Sequence, residues 1–149
     1  MSANSLTLKE IEEILPQRYP FLLIDRVLDY KENDFLIAVK NITGNEWALG
    51  DGQGHVDDFP QMLLVEVAAQ AAIIFHHESV IKSKKKPQYF LGKVEVEFFH
   101  AAQAGDQLDI KVLAGKILQA GGYSDIQIEA QGKKVSSIRI FYGTKLNND

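Results

Sequence analysis

The run Met62 to Phe75, MLLVEVAAQAAIIF, constrains this chain more than any other stretch, because every residue in it is apolar except Glu66 and Gln70. A surface helix keeps one polar face, so a segment that is apolar nearly all round belongs in an interior. Its length and its alanines favour helix over strand, although periodicity alone does not separate the two in a short apolar run. The run falls short of the roughly 20 apolar residues that span a bilayer. Glu66 and Gln70 stand four apart, hence one above the other on the same helix face. A carboxylate placed there is costly unless it is paired or protonated. Either it bonds to a backbone group or a partner chain as a structural residue, or it serves acid–base chemistry, which draws on buried carboxyls.

The flanks read as strands. Thr7 and Glu10 have the spacing of a capping box opening a helix that runs through Leu15 and stops at Pro16. Phe21 to Leu28 and Phe35 to Ile42 read as a pair of strands joined by the polar turn Lys31 to Asp34. Residues Thr43 to Pro60 form a long irregular segment with Gly44, Gly50, Gly52 and Gly54, of the kind that is usually functional. Pro60 stands at the mouth of the central helix, where a missing amide proton does no harm. Beyond Pro87, four strand-like runs follow: Tyr89 to Phe99, Asp106 to Ile117, Tyr123 to Ala130 and Val135 to Tyr142. Gly105-Asp106, Gly121-Gly122 and Gln131-Gly132 supply the turns between them. The alternation within these runs gives the sheet one apolar face, and the apolar helix is the only large element to cover it. The expected fold is therefore α+β, a single domain over 1–149 with an antiparallel sheet wrapped around a long central helix. A sheet covers one side of such a helix; the other side is expected to meet a second subunit in a two-fold dimer.

The charge balance, 16 Lys and Arg against 20 Asp and Glu, and the lack of a basic patch argue against nucleic acid as a partner. No cysteine is present, which excludes disulfides, zinc thiolates and a cysteine nucleophile. The acidic N-terminal stretch is no secretory signal, so a soluble cytoplasmic protein with no membrane association is expected. The basic cluster Lys82 to Lys86 reads as a solvated helix end, or as a surface for an anionic partner.

Of the four histidines, His76 and His77 close the central helix, where a cation suits the dipole, and His100 ends a strand; structure or solvation is their expected role. His55 is different. It sits in Gly52-Gln53-Gly54-His55, eleven residues before Glu66, so the two can face one pocket. An imidazole and a carboxyl can divide the work of general base and general acid. Gly54 lets backbone approach a ligand closely. The amides at the helix start, around Gln61, Met62 and Leu63, carry the positive end of the dipole and can hold a carbonyl oxygen as it becomes an enolate. These parts suit proton abstraction beside a carbonyl followed by loss of a leaving group.

Five segments, in order, resemble one family: LPQRYPFLLIDRV (Leu15 to Val27), QGHV (Gln53 to Val56), EVAAQAA (Glu66 to Ala72), FLGKVEVEFF (Phe90 to Phe99) and GDQL (Gly105 to Leu108). Together they resemble the hot-dog-fold (3R)-hydroxyacyl-acyl carrier protein dehydratases. The resemblance implies loss of water from a 3-hydroxyacyl thioester to give the trans-2-enoyl thioester, in fatty-acid or related polyene- or polyketide-like biosynthesis. It implies His55 as the base at C2 and Glu66 as the acid at the C3 hydroxyl, contributed by opposite protomers. It also implies that Gln70 orients the Glu66 carboxyl, that no metal or organic cofactor takes part, and that an acyl carrier protein delivers the substrate. Tyr19, Phe21 and Phe99 are expected to line an apolar tunnel along the helix. Three features depart from the family pattern: Val56 replaces an aromatic, the VDDFPQ loop is short, and Gln61 replaces a glycine at the helix mouth. They bear on substrate choice. They also leave room for a non-catalytic subunit that pairs with an active hot-dog dehydratase, or for a hot-dog thioesterase.

Overall fold

The computed structural model describes residues 4–49, 58–84 and 86–145. Its elements are α1 (Leu8–Ile14), β1 (Arg26–Lys31), β2 (Phe35–Asn41), α2 (Gln61–His76), β3 (Gln88–Phe98), β4 (Gln107–Leu118), β5 (Gly121–Ala130) and β6 (Lys133–Lys145). The capping box forms: Thr7 Oγ1 accepts from Glu10 N at 3.3 Å, and Glu10 Oε1 accepts from Thr7 N at 3.2 Å. α2 continues into a π-helical turn, His77–Ile81, which ends at Lys82 in the left-handed conformation with φ 49°.

The six strands form one antiparallel sheet in the order β1-β2-β4-β5-β6-β3, and α2 packs across it. Leu36 and Ala38 of β2, Leu108, Ile110 and Val112 of β4, Ile126 and Ile128 of β5, and Ile138 and Ile140 of β6 are all buried beneath the helix. Val67, Ala68, Ala71, Ala72, Ile74 and Phe75 meet them from above. The alanines let the helix axis sit close to the strands, and burying these apolar groups is the main force holding the two layers together.

The first strand differs from its sequence expectation. It begins at Arg26, not Phe21, because Phe21 and Leu23 are bonded to the helix instead of to a neighbouring strand. Gln70 takes up Phe21 O and Leu23 N, and only from Asp25 N, which donates to Val39 O at 3.0 Å, does the chain join the sheet. The last four strands are not a continuous run of hairpins either. β4–β5 and β5–β6 are hairpins, but β3 pairs with β6 at the edge of the sheet, and residues 99–106 cross to the far side of β5 to begin β4. That crossing is tied down where Gly105 N donates to Ile42 O at 2.7 Å and Ile42 N donates to Asp106 O at 2.9 Å.

α2 and the π turn together run Gln61–Ile81, 21 residues with mean hydropathy 1.2, so the helix is longer than the sequence run suggested and could cross a bilayer by length alone. Because 67% of that window is buried inside the protein, it is the core helix of a folded domain. The burial is also one-sided. Leu63, Glu66, Ala69 and Ile73 are half-buried, and Met62 is 72% exposed, so a stripe of α2 stays uncovered by the sheet.

Candidate active site

Glu66 stands on that open stripe, in the middle of α2. One turn on, Gln70 is fully buried and uses three hydrogen-bonding positions of its amide. Leu23 N–H can only donate, and it reaches Oε1 at 2.9 Å; Phe21 O can only accept, and it lies 2.7 Å from Nε2. The orientation of the amide is thereby settled, and the second Nε2 hydrogen points at Glu66 Oε1, 3.0 Å away. Glu66 is thus held by a side chain that is itself locked to the backbone of residues 21–23. Neighbouring groups with fixed rotamers keep a reacting group in place in this way.

Glu66 lines a cavity of about 150 Å³, with Ala69 and Ile73 from α2, Tyr89, Phe90 and Leu91 from β3, Ile140 and Tyr142 from β6, and Gln17 from the segment after α1. Tyr89 is held in this wall by His76. The His76 Nε2 faces Leu118 O at 2.6 Å, and since a carbonyl only accepts, Nε2 carries the proton. Nδ1 then accepts from the Tyr89 hydroxyl at 2.8 Å. Edge-to-face contacts with Tyr89 and Tyr142 complete the packing of the imidazole, at centroid distances of 5.5 and 5.2 Å. His76 is fully buried, and burial lowers its pKa below the ordinary value, so it is a neutral structural residue and not a helix-end cation. Burial also pushes the Tyr142 phenol up to about 12 and raises that of Tyr89.

His77 too is buried, its ring bonded to Glu78 Oε1 at 3.1 Å and Ser83 O at 2.8 Å, while His100 Nδ1 bonds to Lys134 O at 2.9 Å. None of these three histidines lines the Glu66 cavity. A larger cavity, about 670 Å³, lies between α1 and the end of α2, walled by Lys9, Glu12, Glu13, His77 and Lys84. Glu66 does not line it, and it carries a balanced set of charges. Among the described residues no group of three His, Asp or Glu could hold a metal ion.

The other expected site residues divide. His55 and Gly54 lie outside the described residues. Gln61 and Met62 open α2 as expected, on an anchored entry: Phe59 is buried and its N donates to Ala102 O at 2.7 Å, and Asp58 accepts from Gln103 at 3.0 Å. Leu63 N is bonded to Pro60 O at 3.0 Å, so the free amides at the helix mouth are narrowed to those of Gln61 and Met62. Tyr19, Phe21 and Phe99 do not line the Glu66 cavity in the single chain. Tyr19 is 89% exposed beside Trp47, and Phe21 meets the Trp47 ring edge-on at 5.3 Å. Phe99 lies under the Lys134 ammonium, 5.3 Å from its ring centroid. The cavity's aromatic wall comes instead from Tyr89, Phe90 and Tyr142. The alternation of β3 and β6 shows that these positions share a sheet, but not that the two strands are neighbours.

Comparison with known proteins agrees with this architecture. The family model described as the FabA-like domain matches residues 15–139. A 3-hydroxyacyl-[acyl-carrier-protein] dehydratase FabZ from Buchnera aphidicola is 43% identical over 113 residues, 73% of each chain. The protein of the same name from Shewanella woodyi is 37% identical over 141 residues, 92% of this chain and 91% of that one. Among solved structures, the dehydratase heterocomplex ApeI:P from Xenorhabdus doucetiae superposes with TM-score 0.75 at 16% identity, covering 93% of this chain and 91% of that one. The Escherichia coli PaaI protein superposes with TM-score 0.60 at 18% identity, over 78% and 80%. The structural likenesses show the shared hot-dog fold, and the sequence matches go further: this chain belongs to the FabA-like domain family.

Proposed function

We propose that the protein is a 3-hydroxyacyl-acyl carrier protein dehydratase of fatty-acid synthesis, the activity for which the relatives at 37–43% identity are named. The observation that carries the reading is the Glu66 carboxyl, fixed by Gln70 on the open face of a core helix and set into an apolar cavity. In this reading His55 takes the C2 proton of the thioester, and the amides of Gln61 and Met62 hold the carbonyl oxygen as charge develops on it. Glu66 uses the carboxyl oxygen that Gln70 leaves to it, protonating the C3 hydroxyl so that it departs as water. The products are the trans-2-enoyl thioester and one water, with no cofactor in the balance.

The enzyme works as a homodimer in the same proposal, with His55 of one protomer opposite Glu66 of the other. The exposed Met62, Phe90 and Leu91, and a sheet that ends on the long edge strand β3, support it. A cytoplasmic location and delivery of substrate by an acyl carrier protein belong to the same reading.

The test is to incubate the purified protein with a 3-hydroxyacyl-acyl carrier protein and follow loss of one water by mass spectrometry. Turnover by the native chain, with a fall of about 10²–10⁴-fold in His55→Ala and in Glu66→Gln, is the expected result. Turnover at the native rate in either variant would overturn the assignment.

A further inference from the structure

The loop after β2 carries an aromatic side chain that the dehydration chemistry does not use. Trp47, the one tryptophan of the chain, stands half-exposed on it and outside the Glu66 cavity. Its Nε1–H donates to Pro20 O at 2.9 Å, and its ring meets the Phe21 ring edge-on. The loop behind it is firmly rooted. Glu46 N donates to Thr43 O at 3.3 Å and Leu49 N to Glu46 O at 3.1 Å. Glu46 Oε1 accepts from Lys40 Nζ at 2.7 Å, with both side chains largely buried. A salt bridge withdrawn from water in this way is costly to break, because it leaves one charge uncompensated. Glu46 is therefore a fixed point, and Trp47 is the next residue.

The segment that Trp47 touches is the one on which Gln70 takes hold. Gln70 bonds Phe21 O and Leu23 N from the helix side, while Trp47 bonds Pro20 O and packs on Phe21 from the loop side. Residues 20–23 are thus gripped by two side chains before the chain joins the sheet at Asp25. The path from Trp47 to Glu66 has no gap: indole to Pro20 and Phe21, Phe21 O to Gln70 Nε2, and Gln70 Nε2 to Glu66 Oε1. We infer, resting on the dehydratase reading, that Trp47 is a positioning residue for Glu66. By clamping Pro20 and Phe21 it fixes the backbone acceptor that orients Gln70, and Gln70 in turn holds the carboxyl toward the reacting hydroxyl. Without the clamp, Gln70 follows a segment that is free to shift. A displacement of about 1 Å at a reacting group can cost on the order of 10²-fold in rate.

The experiment removes the indole N–H and keeps an aromatic ring. Trp47→Phe does so by substitution. Because the chain holds one tryptophan, growth on benzothienylalanine, in which sulfur stands where the N–H was, does so with the shape unchanged. Each form is expected to lose about tenfold in kcat with KM unchanged, since the orientation of Glu66 acts on the chemical step and Trp47 stands outside the cavity. The loss is expected to vanish in a Gln70→Leu background, where the path to Glu66 is already cut. A tryptophan with a merely structural role would cost the same in both backgrounds. Full kcat in both N–H-free forms, or losses that add to that of Gln70→Leu, would overturn the inference. Should the double variant fail to fold, amide exchange decides. Leu23 N–H, which Gln70 holds, is expected to exchange about tenfold faster once the indole N–H is gone, and unchanged exchange overturns the inference. Failure of the dehydratase reading looks different, since the native protein then turns over no 3-hydroxyacyl-acyl carrier protein. The exchange measurement needs no turnover, so in that event it decides alone.

Discussion

Gln70 holds one end of the candidate site through three hydrogen bonds. Removing its amide in Gln70→Leu leaves Leu23 N–H and Phe21 C=O without partners in the interior, at about 1–3 kcal/mol for each unpaired group. The expected result is a lowered denaturation midpoint together with a fall in kcat, because the Glu66 carboxyl loses the donor that fixes it. A stability loss with kcat unchanged would show that Gln70 is purely structural. His76 makes a prediction about pH. Its folded-state pKa lies below the ordinary 6.5, so the unfolded chain binds the proton more readily and stability falls as pH drops below 6.5. The slope is at most about 1.4 kcal/mol per pH unit. His76→Phe is expected to flatten this part of the stability curve. Glu78 acts in a lower window, its pKa held down mainly by the hydrogen bond to His77; the stability it adds is present above 4.5 and is lost as pH falls further.

At the scale of elements, α2 depends on small residues against the sheet and the β4–β5 hairpin on a glycine. Ala71 is fully buried in the helix–sheet contact, and Ala71→Leu is expected to cost about 1–3 kcal/mol by overpacking, read from urea denaturation. Gly122 has φ 153°, and a Cβ there would run into Lys116 O across the hairpin. Backbone cannot yield as a flexible side chain would, so Gly122→Ala is expected to cost more than the roughly 1 kcal/mol of an ordinary substitution. The capping box was legible from Thr7 and Glu10 because it is built from residues three apart. The start of β1 was not, because what keeps residues 21–23 out of the sheet is Gln70, almost fifty positions away.

For the whole molecule, the edge strand and the open stripe of α2 carry the expectation of a dimer. A long edge with exposed Phe90 and Leu91 is a template for another strand unless it is covered. Leu91→Arg is expected to shift the protein toward monomer in light scattering and to reduce turnover with it, since a dimeric site needs both chains. A monomeric native protein with full activity would remove the two-chain site.

By itself the sequence determined the elements: a core helix from an unbroken apolar run, strands from alternation, turns from glycine, and Glu66 with Gln70 on one helix face. Each of these is written in residues close together along the chain, where helix and strand periods act. The tertiary structure alone decided that β3 lies beside β6 and not β4, that Tyr89, Phe90 and Tyr142 form the wall facing Glu66 while Tyr19 and Phe99 do not, and that His76 is a neutral pin. These outcomes depend on which strand edges meet and which side chains find partners across the core, and such pairings form only between segments far apart in the chain.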